Sequence, residues 1–187
     1  MANVSKTKNI LLLGGVNHGK TTFKKAIKTV LQTRYGIGQD STERFGDAAP
    51  YLKENPPFEF ILNDCCYRIL HLPAQVHYQM FFPEHGDEID AAILICSYFG
   101  FINSDIREQL QCCSEHGINL IGTYIPCPEH MDIELLDIVR MEILDELEGY
   151  DTDLVLHGNS VHAIANPYGP NADTLIQFIF HIVQSFA

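Results

Sequence analysis

No apolar run in the sequence approaches the ~18 residues of a membrane-spanning helix. The N-terminus is short, polar and basic before its first apolar stretch, and it has neither the apolar core nor the small-residue cleavage site of a secretory signal. The expectation is a cytoplasmic protein with no membrane contact. The six cysteines, Cys65, Cys66, Cys96, Cys112, Cys113 and Cys127, contain no C-x-x-C pair, which removes zinc-ribbon and thioredoxin-type motifs. They read as reduced thiols. Cys112, Cys113 and His116 have residue types that hold metals, and plain burial is the competing and commoner fate of cysteine. Positive charge is also scarce: 12 basic against 24 acidic residues give a net charge of −12, which repels a nucleic-acid backbone unless the basic residues cluster. They partly do, because Lys6, Lys8, Lys20, Lys24, Lys25 and Lys28 all fall near the start. Low-complexity segments are lacking too.

What remains is globular in kind, with 46% hydrophobic and 19% charged residues. A chain of 187 residues suits one domain, and at that size it buries roughly 70% of its unfolded surface without a staple. Strand-like and helix-like stretches alternate. An apolar run over 9–13 ends in Gly14-Gly15 and leads into a helical pattern from Lys20 to about Arg34, with Phe23, Ala26, Ile27, Val30 and Leu31 as its inward stripe. Residues 58–63 and 67–72 read as a hairpin around an Asp-Cys-Cys link. Residues 91–99 and 119–125 suit central parallel strands covered on both faces. Between them lies a helix with Ser104 and Gly117 as cap positions. The strongest helical pattern runs over 132–147, capped by Asp132, with Ile133, Leu136, Val139, Ile143 and Leu147 on one face. A last strand at 154–157 and a last helix at 172–186 complete an α/β, three-layer sandwich with a mostly parallel sheet and one antiparallel edge strand. The span from Tyr35 to Pro57 is the least regular, and a loop of that length is usually functional or mobile.

Gly14, Gly19, Lys20 and Thr21 satisfy G-x-x-x-x-G-K-[ST] between a strand and a helix, the spacing of a P-loop. Glycines let backbone N–H groups turn inward, the helix start adds its dipole, lysine bridges outer phosphates and the threonine hydroxyl can ligate Mg2+.

The stretch Gly14-Gly15-Val16-Asn17-His18-Gly19-Lys20-Thr21-Thr22-Phe23 resembles the phosphate loop of the translational GTPases, closest to the G domain of elongation factor Tu. Residues 133–151 are similar to the helix after that factor's guanine-binding strand, and 89–97 to its central strand. His77 to Met80, Arg107 to Leu110 and His157 to Ile164 fall in the expected order. The likeness implies a P-loop NTPase, G-domain-like fold over residues 1–187, without the two β-barrel domains. It implies contacts to GTP or GDP from Gly14, Asn17, His18, Gly19, Lys20, Thr21, Thr22, Asn159 and Ser160, with Thr21 as the Mg2+ ligand.

Several family positions depart from that pattern. His71 stands where a carboxylate orients the magnesium water shell, and imidazole is a poor substitute before a hard cation, so Mg2+ binding is expected to be weak or absent. Ala74 replaces a glycine that approaches the terminal phosphate, and Leu52 falls near a switch threonine. Gln75, at the family's catalytic histidine position, is the candidate for positioning water, a surface glutamine being the blander reading. Guanine recognition by Asn-Lys-x-Asp is replaced by Ile125-Pro126-Cys127-Pro128 or, one residue on, Pro126-Cys127-Pro128-Glu129. Tyr78, Met80, Phe81, Phe82 and Pro83 suit either the core or a partner surface, and Pro83 is expected to break or restart its helix. The acidic run from Asp137 to Glu148 reads as a solvated face.

The expectation is a stand-alone, degenerate domain that binds GTP or GDP through an intact loop, hydrolyses it slowly or not at all, and is read by an unidentified protein partner. A nucleotide-free pseudo-GTPase serving as an interaction or decoy module is the alternative, and an active GTPase or ATPase with a rebuilt site the third reading. Delivery of tRNA is not expected without barrels.

Overall fold

The computed structural model describes residues 6–41, 55–73, 77–99, 102–150, 152 and 154–186. Seven strands form one sheet, β1 (Lys6–Leu13), β2 (Gln39–Asp40), β3 (Phe58–Leu62), β4 (Cys65–His71), β5 (Ala91–Ile95), β6 (Asn119–Pro126) and β7 (Val155–Gly158). Their order is β2-β3-β4-β1-β5-β6-β7. From β4 to β7 all pairs are parallel, and β3 pairs antiparallel with both β2 and β4. The fold is therefore α/β with a mostly parallel sheet and an antiparallel edge.

Alternation along β1 sends side chains to two cores. Leu11 and Leu13 join an apolar cluster with α2 (Tyr78–His85), α3 (Ser104–Glu115) and α4 (Ile133–Glu146). Ile10 and Leu12 point the other way, into a cluster with α1 (Lys20–Tyr35) and α6 (Pro170–Gln184). This arrangement explains why β5 carries no polar residue, since a strand packed on both faces has no wet side. A short helix, α5 (Ser160–Ala165), packs between α1 and α6. In the second core, the rings of Phe23, Tyr124 and Phe178 meet pairwise at 4.8, 5.5 and 5.9 Å, fixing the first turn of α1 against β6 and α6. Such ring pairs add about 0.5–1.5 kcal/mol each beyond burial.

Several local expectations need correction. The hairpin turns on Asn63 and Asp64, whose φ values of 51° and 59° are those of a two-residue primed turn, while Cys65 and Cys66 already belong to β4. Strand β5 stops at Ile95 rather than 99, because the chain leaves the sheet toward α3. The cap of α3 is Asn103, whose side chain accepts from the Ile106 N–H, and not Ser104. Ile133 does not share the buried face of α4: it is 74% exposed, whereas Leu136, Val139, Ile143 and Leu147 are buried. Pro83 lies inside α2, where only two residues follow it before a 3₁₀ turn at Gly86–Glu88, so few backbone bonds are left to disrupt. Tyr78, Phe81 and Phe82 are core residues, whereas Met80 and Pro83 are exposed. Leu52, Ala74 and Gln75 lie outside the described residues. Among the described residues no helix is long and apolar enough to cross a membrane.

Candidate functional site

At the C-terminal end of β1 the chain turns through Gly14 at φ 134°, Asn17 at φ 64° and Gly19 at φ 89° before entering α1. Two of these positive angles belong to glycine, and asparagine is among the few other residues that tolerate one. The turn leaves the N–H groups of Asn17, Gly19, Lys20, Thr21 and Thr22 without an acceptor among the described residues. Such donors, at the start of a 16-residue helix, suit an anionic oxygen. They border a cleft of about 470 Å³ lined by Gly15 to Thr22 together with His71 and Pro73.

The Lys20 side chain folds back over the loop, donating to the Gly14 carbonyl and, at 2.8 Å, to that of Gly15. It is 8% exposed, and burial lowers its pKa to about 8. Among the described residues no carboxylate forms an ion pair with it. A buried ammonium held by neutral carbonyls alone is costly, and an anion in the cleft would offset that cost. On its far side Lys20 borders a second cavity of about 200 Å³, shared with Gly14, Asp105, Glu108 and Gln109.

His18 faces inward instead of toward the cleft mouth. Its Nδ1 accepts from the Ser97 N–H at 3.3 Å, and its ring lies against Gly15, where a methyl group would sit 2.8 Å from Nε2. Burial, then Lys20, lowers its pKa, so the ring acts as a neutral strut between loop and β5. Gln109 is a support that sequence reasoning missed. It is 7% exposed on the apolar face of α3, beside Ile106, Leu110 and Cys113, and its Oε1 accepts from the Gly14 N–H at 2.8 Å. A polar residue inside an apolar stripe was the available signal, since such a group needs a buried partner. Gln109→Leu strands that N–H and is expected to cost about 1–3 kcal/mol, seen as a lower urea midpoint at unchanged m-value.

On the metal side, Thr21 Oγ1 lies 3.5 Å from His71 Nδ1, which also accepts from Asn55 Nδ2 at 2.6 Å. The Asn55 carbonyl oxygen in turn accepts from Lys24, which donates at 3.0 Å to Pro56 O as well. Burial, then Lys20 and Lys24, pushes the His71 pKa down to about 4, so the imidazole is neutral. The family likeness implies Mg2+ at Thr21, but the residues present do not fit it. A hard divalent cation takes oxygen ligands and waters ordered by carboxylate, and here the donors beside Thr21 are an imidazole nitrogen already hydrogen-bonded and an amide leading to an ammonium.

Asn159 and Ser160 line neither cavity. The Asn159 side chain caps α5 by accepting from the His162 N–H at 2.9 Å, its own N–H is taken by Asn171 Oδ1 at 3.0 Å, and the Ser160 hydroxyl is buried beside that of Tyr124. Pro126 packs on the loop, with its Cγ 3.2 Å from where a methyl group on Gly19 would sit. Glu129 Oε2 reaches His162 Nδ1 at 2.9 Å, so the one carboxylate of the 125–129 segment is held toward α5. Cys112, Cys113 and His116 use their groups in packing: both thiols are buried, and His116 stacks on Phe82 with centroids 5.4 Å apart. No protein-family model matches the chain.

Proposed function

We propose that this chain is a degenerate domain of translational-GTPase type with a P-loop NTPase fold, and that it binds a purine nucleotide, GTP or GDP, through the Gly14–Thr21 loop. Hydrolysis is slow or absent, and a protein partner reads the bound state. The observation that carries this reading is the set of backbone donors without a partner among the described residues, around a cleft closed by a buried Lys20 that makes no described ion pair. A phosphate group can accept from those donors and pair with that ammonium. The mismatch between His71 and a magnesium shell supports weak turnover.

Base selectivity is expected to be small. Asn159 and Ser160 are committed to the fold, and Glu129, the one carboxylate of the 125–129 segment, is engaged by His162. Calorimetric titration with GDP and ADP tests both parts. Binding of both, with GDP preferred by no more than about tenfold, agrees with the proposal. No heat with either leaves the loop as an inherited turn.

That outcome would favour the second reading, a nucleotide-free interaction module, for which α4 supplies an observation of its own. Leu135, Ile138 and Met141 recur at helical spacing on its outer side and are all exposed.

A further inference from the structure

The disagreement between the Thr21 surroundings and a magnesium ion has a positive counterpart in the same residues. Lys20, Lys24 and Lys28 stand four residues apart, one row along α1 starting at the loop. Lys28 is neutralised by Asp40 at 2.5 Å. Lys24 makes no direct ion pair among the described residues: it is 9% exposed, its hydrogen-bond partners are the Asn55 and Pro56 oxygens, and Asp40, which lines the same cavity and is already bound to Lys28, acts on it only from a distance. Thr21 lines both the phosphate cleft and an adjoining cavity of about 360 Å³ that Lys24, Asn55 and Pro56 also line. A fixed positive charge thus lies on the side of Thr21 where the family likeness places a metal. Two ammonium groups and a neutral imidazole repel or ignore a divalent cation, yet they suit a polyanion.

We propose that Lys24, acting with Lys20, replaces magnesium as the counter-charge of the phosphate chain, so that this site takes a nucleoside di- or triphosphate in its metal-free form. The inference rests on the nucleotide-binding reading and adds the ionic form of the ligand. Lys20 holds the chain at the loop. Lys24 is presented through Asn55 toward Thr21, where its Nζ can exchange an amide oxygen for a phosphate oxygen and gain a charge-assisted bond.

The test is titration of the whole chain with GDP and with inorganic pyrophosphate, each in millimolar Mg2+ and in EDTA, for the unaltered protein, Lys24→Gln and His71→Asp. The expected result is a Kd in EDTA within about threefold of that in Mg2+, and a weakening of about ten- to a hundredfold in Lys24→Gln. His71→Asp, which restores a carboxylate beside Thr21, should bind more tightly in Mg2+ than in EDTA. A circular dichroism spectrum like that of the unaltered protein separates lost binding from lost folding in each variant. Failure of either ligand to bind in either medium overturns the nucleotide reading and this inference with it. Binding that requires Mg2+ leaves the nucleotide reading standing and overturns the inference. Metal-independent binding that Lys24→Gln leaves intact removes Lys24 from the role.

Discussion

Lys20→Ala is expected to weaken nucleotide binding about a hundredfold while leaving the protein folded. Lys20 carries the ammonium of the Gly14–Thr21 loop, and charge-assisted bonds to two phosphate groups together are worth roughly 3 kcal/mol, about a hundredfold in Kd. The cost to folding should be small. Truncation leaves the Gly14 and Gly15 carbonyls unpaired, but it also removes a buried cation that no described carboxylate neutralises. Calorimetry with GDP and a thermal melt on the same sample separate the two effects. A variant that binds as tightly as the original would sink the loop as the binding site.

The same lysine gives the binding a pH dependence whose sign can be worked out. Its pKa is lowered to about 8 in the free protein, and a bound phosphate favours the ammonium form and raises it. Binding therefore takes up protons near that pH, and affinity falls as pH rises above about 8, by at most tenfold per pH unit for one lysine. Lys24, likewise lowered to about 8, adds to the slope if it touches the ligand. Other groups facing Lys20 do not reverse the sign. The pKa values of His18 and His71 are lowered by burial and by nearby lysines, so neither ring gains a proton as pH rises above about 8. Phosphate itself, with a second pKa of about 6, is fully charged by then. Heats measured in two buffers of different ionisation enthalpy report the proton uptake directly.

Much of the architecture was legible because local and global demands agree. The apolar run before Gly14 has to be a strand, since its alternate residues feed two cores, and the inward stripe of α1 from Phe23 to Leu31 is buried as its period demands. What escaped depends on neighbours that sequence does not display. Asn103 and Ser104 are both good caps, and only the path of the chain out of β5 decides between them. Ile133 satisfies the helical period, yet it lies at the first position of α4, beyond the cover of its neighbours. Helix α5, with six residues, is too short to show a period at all and is marked only by the Asn159 cap.

The site divides in the same way. The loop was legible because its glycines answer a backbone requirement that no other residue type meets. Gln109, which steadies it from 95 positions away, and the Lys24–Asn55–His71–Thr21 chain are products of packing between distant segments.

Gly14→Ala should be the most damaging change in the loop, and the reason lies in the sheet rather than in the ligand. At φ 134° Gly14 occupies backbone space that L-residues rarely enter, and an added methyl would fall 2.2 Å from the carbonyl oxygen of Ile95, far inside contact distance. That oxygen cannot step aside. Ile95 is the last residue of β5, a central strand paired with β1 on one side and β6 on the other. Strain and collision together are expected to cost about 4 kcal/mol or more, which for a chain of this size lowers Tm by roughly 10 °C. Gly36→Ala provides the comparison. Its φ is also positive, at 66°, where it caps the end of α1, but nothing lies within 4 Å of the added methyl. The backbone penalty alone is about 1 kcal/mol. A large loss at Gly14 beside a small one at Gly36 would assign the difference to the contact with Ile95. Equal losses would mean that φ alone sets the cost, and that the loop is not held against the end of β5 as the structure has it.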